Sequence, residues 1–476
     1  MATHKKNCQV FTPQQTVRRM LDIAGYTNML YGKKILENSC GDGQVLLEVV
    51  CRYIEDCHNR GYKNHQIQKG LENDIYGVEI DEKTAIKCID NLNNILKQYA
   101  LPAVKWNVTT ADSLKYDYCS RFQYVVGNPP YITYSALEVE NREYIRDTYE
   151  VCKEGRPDYY YAFIESAINQ LAANGVLVYL VPSNFYRTRF ASKLRSFLLP
   201  HVTEIYDYSN IKIFSEALTA STIIKCIKDS DTNDVFYHSI KENTQETFNK
   251  RSLDSRWIFT KKQTTTQKND IIKFGDYFHA SCSIATLLNS AYIINVGKEE
   301  QSKEDVAEKY GIDVGMLRPA VSPKSLQMNR TEFIIFPYQY IEGELAHYSI
   351  EEFENRYALT TAYLNQFRDK LDERDSDKAA KWFEYGRSQA LAHLNQKKLL
   401  LSTLITDHMR VYEIDKDIIP YSGIYITQKR SMSLENAKEI LIAKNFYEYA
   451  KTVGIQANGT SVRISVRDIN NYEFTL

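Results

Sequence analysis

The stretch Gly127-Asn128-Pro129-Pro130-Tyr131 decides how the first half of the chain is interpreted. The mostly apolar run from Phe122 to Val126 precedes it and predicts a short buried strand. Two prolines then end that strand, because neither has a backbone N–H and each fixes φ near about −65°. The stiff loop offers one side-chain amide, two carbonyls and an aromatic ring, which can hold an exocyclic amino group and stack on the ring that carries it. Taken alone, the tetrapeptide fits a proline-rich turn equally well.

Three further strands are predicted before this loop, and an acidic residue lies at or just after the end of each. Glu37 follows the apolar pair at 35–36, Glu79 lies near the end of the run 75–81, and Asp112 follows the strand 107–110. Because the carboxyl ends of parallel strands meet at one edge of a sheet, these carboxylates are expected to line one ligand site. The turn Ser39-Cys40-Gly41-Asp42-Gly43 adds two glycines that let the backbone approach a ligand closely.

More strands and helices are predicted after the loop. The polar segment 132–157 is expected to be a mobile loop that closes over a substrate, or a surface loop with one short helix. A helix over 158–172 and a fifth strand over 175–181 follow it. Strands over 201–208 and 221–227 predict an antiparallel pair at the edge of the sheet. The whole pattern predicts an α/β fold with a mostly parallel, seven-stranded sheet.

The composition is that of an ordinary globular protein, with 43% hydrophobic and 25% charged residues. The longest apolar run is far too short to span a membrane, and the first residues lack the apolar core of a signal peptide. Nine cysteines without metal-type spacing predict free thiols, a cytoplasmic location and no metal site. The formal net charge of −1 does not exclude a nucleic-acid partner, because a basic cleft can lie on a neutral protein.

The length of 476 residues predicts two or three domains. A catalytic domain is expected over residues 1–230, and a linker or an extension of the sheet edge over the polar residues 231–275. Residues 276–476 predict a mixed α+β domain. Six basic residues in it are candidate phosphate contacts, although each also fits a solvated surface charge: Arg318, Lys324, Arg330, Arg387, Lys397 and Lys398.

The loop from Asn128 to Tyr131 and the acids at the strand ends resemble the catalytic loop and Rossmann-like fold of amino-methylating DNA methyltransferases. The motif order is similar to that of the γ class of N6-adenine DNA methyltransferases from type II restriction–modification systems. The resemblance extends from Val10 to Lys228. It continues more loosely into the C-terminal part, which resembles a DNA target-recognition domain. The same tetrapeptide also occurs in methyltransferases that act on a protein glutamine or on RNA.

The resemblance implies that S-adenosylmethionine is the cofactor. Thr12 and the loop from Glu37 to Gly43 would hold its methionine part, Glu79 its ribose hydroxyls and Asp112 its adenine amino group. Asn38 stands where the family usually has proline. Ser113 replaces an aromatic residue that often stacks on the adenine, so Ile80 or Pro130 would supply that contact. The full implied set is Phe11, Thr12, Glu37, Ser39, Gly41, Gly43, Glu79, Ile80, Asp112, Ser113 and Asn128.

The resemblance also implies how the target base is held. Asn128 and the carbonyl of Pro129 would accept from the adenine N6, in a loop that Pro130 stiffens. Tyr131 would stack on the flipped-out base, and Phe190 would be a second aromatic contact to it. No residue is nominated as a general base.

The predicted function is therefore site-specific adenine-N6 methylation of double-stranded DNA in a restriction–modification or related defence system. The expected protein is a monomer without a membrane partner, and a separate restriction endonuclease is a candidate partner. The alternatives are a methyltransferase that acts on RNA or a protein glutamine, and a catalytically silent DNA-binding subunit. The long region after the catalytic fold favours a polymeric substrate, and an intact cofactor loop disfavours the silent subunit.

Overall fold

A computed structural model describes residues 12–118, 121–208, 211, 220–253, 256–259, 272–297, 301–457 and 461–475. The chain divides into two compact units. The first consists of Met1–Lys261 and Ile455–Thr460, and the second of Lys262–Gly454 and Ser461–Leu476. The predicted cofactor residue Phe11 lies outside the described residues.

One sheet organises the first unit, and nine strands of the described residues form it: β1 (Ile35–Glu37), β2 (Ile75–Glu79), β3 (Asn107–Thr110), β4 (Phe122–Gly127), β5 (Leu171–Pro182), β6 (Val202–Asp207), β7 (Ser221–Ile227), β8 (Asp234–Ser239) and β9 (Thr244–Asn249). Their order is β3-β2-β1-β4-β5-β7-β6-β8-β9. The first five are parallel, and β7 is antiparallel to both of its neighbours. The predicted α/β class is confirmed, and the strand order reverses between β1 and β4.

The sheet is wider than the seven strands predicted from the sequence. Strands β8 and β9 come from the segment expected to be a linker or an edge extension, and β8 pairs in parallel with β6. Only Val235 in β8 and Phe248 in β9 are buried. Edge strands of this kind carry mostly polar side chains, so their sequence lacks the apolar run by which inner strands are recognised.

The described part of the first unit contains seven α-helices: α1 (Gln14–Ala24), α2 (Gln44–Asn59), α3 (Asn64–Asp74), α4 (Glu82–Gln98), α5 (Val139–Thr148), α6 (Tyr160–Gln170) and α7 (Ser192–Leu198). Short 3-10 turns lie at Tyr134–Ala136, Glu150–Cys152, Ser183–Tyr186, Arg189–Ala191 and Lys250–Ser252. The segment 132–157 thus contains one α-helix and two 3-10 turns, which fits the second of its two predicted forms.

Two apolar clusters cover the two faces of the sheet. Helices α1 to α4 contribute to one cluster together with Val126 and Val178, and α5 to α7 contribute to the other together with Val125 and Leu177. Successive side chains of a strand point to opposite faces, so adjacent residues of β4 and β5 enter different clusters. A sheet buried on both faces keeps its ligand-binding groups at the strand ends.

The second unit is a mixed α+β structure around two four-stranded sheets, in the orders β11-β21-β17-β19 and β12-β14-β13-β20. Its strands are β10 (Ile272–Lys273), β11 (Phe278–Cys282), β12 (Ile293–Gly297), β13 (Leu317–Val321), β14 (Thr331–Ile335), β15 (Gln339–Ile341), β16 (Glu344–Ala346), β17 (Lys398–Leu401), β18 (Leu404–Ile405), β19 (Val411–Ile414), β20 (Ile419–Pro420), β21 (Ile424–Gln428), β23 (Val462–Arg463) and β24 (Glu473–Phe474). The remaining strand, β22 (Ile455–Gln456), lies in the segment assigned to the first unit.

Ten α-helices lie in the residues of the second unit that the structure describes: α8 (Phe274–Tyr277), α9 (Asn289–Tyr292), α10 (Lys303–Tyr310), α11 (Pro323–Gln327), α12 (Ile350–Arg356), α13 (Ala358–Asn365), α14 (Arg368–Asp372), α15 (Leu434–Ile442), α16 (Lys444–Val453) and α17 (Val466–Asn470). Two separate apolar clusters fill this unit. Within the described ranges, none of the helices of the chain is both long and apolar enough to cross a membrane.

Candidate functional site

The turn between β1 and α2 needs both of its glycines. Gly41 has φ +53° and Gly43 has φ +93°, a left-handed conformation that side chains other than glycine rarely adopt. A Cβ on Gly43 would lie 2.7 Å from the Cys88 sulfur, so the glycine also permits close packing of α2 on α4. Cys40, between Ser39 and Gly41 in this turn, is buried.

Glu37 and Asn38 lie buried at the base of the turn. The Leu46 backbone N–H donates to the Glu37 carboxylate, and the Asn38 side-chain oxygen accepts from the Tyr179 hydroxyl. Among the described residues, no hydrogen-bond partner reaches Glu37 Oε2 or Asn38 Nδ2. Burial, aided by the nearby Cys88 thiol, raises the pKa of Glu37 well above its usual range. Buried polar groups are normally paired, so these two atoms mark a place where a polar ligand fits.

Glu79 connects the end of β2 to the same turn. Its Oε2 accepts from the Gly41 N–H at 3.0 Å and its Oε1 from the Asp81 N–H at 2.9 Å. Each carboxylate oxygen has two lone pairs, so each can accept one further hydrogen bond. The side chain is only 8% exposed, which places a negatively charged group with little competing water beside the glycine turn.

Three more of the predicted cofactor residues, at or after the ends of β2 and β3, differ in exposure and in contacts. Ile80 is 62% exposed at the end of β2, which leaves its side chain available to a ligand. Asp112 accepts from the Leu114 N–H at 3.1 Å and pairs with Lys115 at 3.5 Å. Ser113 is buried, and its hydroxyl lies 2.6 Å from the Tyr118 hydroxyl.

Asn128 follows β4 directly and is held by two neighbouring segments. Its side-chain Nδ2 donates to the Thr12 hydroxyl at 3.2 Å, and its backbone carbonyl accepts from the Ser39 hydroxyl at 3.4 Å. Helix α1 begins at Gln14 without a side-chain cap, and Thr12 contacts the loop after β4 and does not cap the helix. Because Oδ1 and Nδ2 share one carbon, a fixed Nδ2 also fixes the direction of Oδ1.

The rest of the loop is anchored to its surroundings. Pro129 is buried and Pro130 half-buried. The half-buried Tyr131 donates its hydroxyl to the Leu180 carbonyl at 2.7 Å, and its ring meets that of Tyr160 edge to face at 6.2 Å between centroids. The hydroxyl bond to β5 fixes the position of the Tyr131 ring at the carboxyl end of the sheet.

A network that was not predicted from the sequence connects this loop to the segment after β5. The Asp158 carboxylate accepts from the Tyr134 N–H and from the Asn184 side chain, while burial raises its pKa. Asn184 Oδ1 in turn accepts from the Tyr160 hydroxyl at 3.1 Å. An acid inside a polar segment carries no periodic signal, so only the fold brings Asp158 and Asn184 together.

Phe190 lies beyond Asn184 and is 40% exposed. Its ring packs on Gly155, where an added Cβ would be 2.4 Å from Phe190 Cδ1. Arg195 supports the intervening turn with hydrogen bonds from one guanidinium nitrogen to the carbonyls of Phe185 and Thr188. An exposed aromatic ring on a supported turn is available for stacking.

The candidate phosphate contacts in the second unit need one correction. Lys398 is 1% exposed, and its ammonium donates to the carbonyls of Gln396, Asp415 and Lys416. Burial lowers the pKa of Lys398 to about 8. The prediction that Lys398 is a phosphate contact was wrong, because a lysine at the start of a strand can point inward when backbone carbonyls accept hydrogen bonds from its ammonium group. Lys324, Arg330 and Lys397 are exposed.

Arg387 is also engaged within the protein. Its two terminal nitrogens pair with Asp375 at 3.0 Å and with Asp377 at 3.2 Å. Arg318 lies over the ring of Phe336 at 4.2 Å from its centroid. Because both arginines already contact other residues of the protein, the exposed Lys324, Arg330 and Lys397 are the more suitable candidate phosphate contacts in this unit.

The sheet order, the glycine turn and the loop after β4 together define a class of fold that other proteins share. Residues 59–214 match the family described as Eco57I restriction-modification methylase. The type II methyltransferase M.BstVI of Geobacillus stearothermophilus is 28% identical over 48% of this chain and 43% of its own length. The type II restriction enzyme and methyltransferase RM.Eco57I of Escherichia coli is 24% identical over 72% of this chain and 40% of its own length. The predicted resemblance to type II restriction–modification methylases is confirmed.

Solved structures extend the likeness of fold to nearly the whole chain. The type IIL restriction-modification enzyme MmeI, solved in complex with DNA, has a TM-score of 0.60 at 14% identity over 96% of this chain and 64% of that chain. The DrdV–DNA complex has a TM-score of 0.55 at 11% identity over 93% of this chain and 53% of that chain. The chain spans less than half the length of the two curated relatives above.

Proposed function

We propose that this chain is an S-adenosylmethionine-dependent methyltransferase that modifies the N6 amino group of adenine in DNA. The observation that supports this most strongly is the fixed amide of Asn128 at the carboxyl end of β4, beside a turn with unpaired polar groups. The switch in strand order between β1 and β4 is where open α/β sheets bind their ligands. The resemblance to restriction–modification methylases makes DNA the favoured substrate.

The polar groups around the turn fit S-adenosylmethionine. Its methionine part carries an ammonium and a carboxylate, which match the acceptor Glu37 Oε2 and the donor Asn38 Nδ2. Nothing lies within 4 Å of where a Cβ on Gly41 would be, so a ligand could approach the backbone there. Glu79 would accept the ribose hydroxyls with the lone pairs that remain on its two oxygens. Asp112 would accept from the adenine amino group, and the exposed Ile80 would cover one adenine face.

The catalytic loop would act on the nucleophile. S-adenosylmethionine supplies a methyl group that is already activated on a sulfonium. The N6 lone pair of adenine is delocalised into its ring and is a poor nucleophile. Asn128 Oδ1 and the Pro129 carbonyl would each accept a hydrogen bond from the N6 amino group and draw the nitrogen toward tetrahedral geometry. Both acceptors would then stabilise the positive charge that develops on N6.

The target base must leave the helix for this contact to form. N6 cannot be reached inside a duplex, so the adenine would be flipped into the site at a cost of a few kcal/mol. Tyr131 is fixed by its hydroxyl bond to Leu180 and would stack on one side of the base. The exposed Phe190 would make the second aromatic contact, with Gly155 behind it.

Transfer of a labelled methyl group tests the class of substrate. The full chain is incubated with S-adenosylmethionine labelled on its methyl group and, in separate reactions, with unmethylated DNA, RNA or nuclease-treated protein extract. The proposal predicts label in DNA alone. Label in RNA or protein would move the assignment to the rival methyltransferases. No label anywhere, together with no heat on titration with S-adenosylmethionine, would identify a silent subunit.

Thr12 is expected to affect the rate of transfer, because its hydroxyl fixes the amide of Asn128. Thr12→Val keeps the shape of the side chain but removes an acceptor whose hydrogen bond contributes about 0.5–1.5 kcal/mol. We expect kcat to fall about 3- to 10-fold with the Kd of S-adenosylmethionine unchanged. Thr12→Ser, which keeps the hydroxyl, is the matched control. A weaker Kd with an unchanged kcat would instead place Thr12 on the methionine part of the cofactor.

Glu37 is expected to lower the stability of the free protein and to increase its affinity for S-adenosylmethionine. The pKa of Glu37 is higher in the folded protein than its unfolded value of about 4.3. The free energy of unfolding therefore decreases as pH rises from about 4.3 to the folded-state pKa, because the folded protein resists ionisation of this carboxyl group. Glu37→Gln stays neutral, so the melting temperature of the free variant should exceed that of the native protein at neutral pH. The difference should vanish below about pH 4.

The same variant should bind S-adenosylmethionine about 10- to 100-fold more weakly, because a hydrogen bond to a charged group contributes about 1.5–3 kcal/mol. Melting curves across pH and calorimetric titration measure the two effects. A variant that is less stable than the native protein at neutral pH, or that binds the cofactor as tightly, contradicts the assignment of Glu37.

A further inference from the structure

Two arginines of α5 stack on one tyrosine in the segment that follows the catalytic loop. The guanidinium carbons of Arg142 and Arg146 lie 5.2 Å and 5.1 Å from the centroid of the Tyr134 ring. Residues four apart lie on the same face of a helix, so α5 presents both cations on one side. A ring face attracts cations and holds their planes in a defined direction.

Each guanidinium is further oriented by a backbone carbonyl. Arg142 Nη2 donates to the Ser135 carbonyl at 2.8 Å, and Arg146 Nη2 donates to the Gly155 carbonyl at 2.5 Å, both near the surface. Both side chains are half-buried, and their Nε atoms are buried. A guanidinium has five N–H donors, so these contacts fix its position without using all of its capacity.

Neither arginine has a carboxylate partner among the described residues. Two acids that follow α5 are paired with lysines instead: Glu150 pairs with Lys153, and Glu154 pairs with Lys193. Like charges four residues apart on a helix destabilise it. An arrangement that holds two such charges together without a carboxylate is one that a bound anion would stabilise.

The position of the pair connects it to both aromatic contacts of the proposed base site. Tyr134 lies three residues after Tyr131, and its N–H is held by the Asp158 carboxylate. The carbonyl that accepts from Arg146 belongs to Gly155, on which the Phe190 ring packs. The two cations are therefore fixed to the two segments that would enclose a flipped base.

We propose that Arg142 and Arg146, oriented by Tyr134, form a phosphate-binding site for the DNA strand whose base enters the pocket between Tyr131 and Phe190. This inference rests on the proposed function and adds to it the residues that would bind the backbone of that strand. Planar guanidinium groups bind phosphate oxygens through paired N–H donors, and such contacts fix the register of a protein on DNA without reading its sequence.

Salt dependence of DNA binding tests the inference. Each phosphate contact adds about −0.9 to the slope of log K against log salt concentration. The double variant Arg142→Gln/Arg146→Gln should therefore bind a short duplex of arbitrary sequence about tenfold more weakly at ~0.1 M salt, with a slope less steep by about two. The variant Arg142→Lys/Arg146→Lys keeps both charges and should retain most of the slope. Binding of S-adenosylmethionine should be unchanged in both variants, which shows that the fold is intact.

Arg60→Gln is the matched control. Arg60 is an exposed arginine of the same unit and follows the last residue of α2. Helix α2 has 16 residues, is about 24 Å long and begins at the turn after β1, so Arg60 lies at the opposite end of the helix from that turn. Removing its charge should leave the slope unchanged. If the native protein methylates DNA and the double variant keeps the native slope, the inference is overturned and the proposed function stands. If the native protein neither methylates DNA nor binds it, both are overturned.

Discussion

Replacement of Asn128 by alanine is expected to lower the rate of methyl transfer about 10³-fold while leaving the affinity for S-adenosylmethionine nearly unchanged. The size follows from what removal of one preorganised hydrogen-bonding group costs at a site where charge develops, about 10²- to 10³-fold. The side-chain amide of Asn128 is fixed by the hydrogen bond from its Nδ2 to Thr12, and the backbone carbonyl of Asn128 accepts from the Ser39 hydroxyl. It therefore needs no reorganisation when a base arrives.

The measurement is single-turnover methylation of DNA with a saturating amount of protein and cofactor. Asn73→Ala, which removes an exposed asparagine of α3, is the control and should behave as the native protein. Calorimetric titration with S-adenosylmethionine separates chemistry from folding. A parallel loss of rate and cofactor affinity would indicate a damaged fold, and a rate within about tenfold of the native value would remove Asn128 from the chemistry.

Replacement of Glu79 by glutamine is expected to weaken S-adenosylmethionine binding about 100-fold or more. The carboxylate would accept two ribose hydroxyls, each through a charge-assisted hydrogen bond worth about 1.5–3 kcal/mol. It also accepts the N–H groups of Gly41 and Asp81. A glutamine offers one acceptor oxygen, so one of these backbone donors loses its partner and the glycine turn loses part of its support.

The matched control for this position is Glu82→Gln, an exposed glutamate in the first turn of α4. DNA binding in the absence of cofactor should be the same for both variants and for the native protein. Calorimetry gives the cofactor affinity and a gel-shift titration gives the DNA affinity. An unchanged affinity for S-adenosylmethionine in the Glu79 variant would contradict its assignment to the ribose.

The inner part of the sheet could be predicted because its sequence signals are strong. Strands β1, β2, β4 and β5 are buried on both faces, so each reads as a short apolar run. Acids at or after the ends of β1, β2 and β3, and glycines after β1, then indicate the ligand edge. Hydrogen bonds among these loops join Ser39 to Asn128 and Gly41 to Glu79.

Other features depend on contacts between distant segments and carry no local signal. Asp158 precedes α6 and Asn184 follows β5, so the two side chains meet only because the start of α6 lies near the end of β5. Thr12 has the sequence of a helix cap but bonds to Asn128, more than a hundred residues away. Lys398 resembles a surface charge until the carbonyls that surround it are known. Polar side chains with several available partners are placed by tertiary structure, and their roles follow from it.

Nucleoside analysis by mass spectrometry tests whether the protein methylates adenine N6 and whether Asn128 is needed for the reaction. DNA free of methylation is incubated with the full chain and S-adenosylmethionine, and with the Asn128→Ala variant in parallel, then digested to nucleosides. The account predicts that N6-methyladenine appears with the native protein and is reduced about 10³-fold with the variant. A methylated cytosine in place of N6-methyladenine, or equal yields from both proteins, would contradict it.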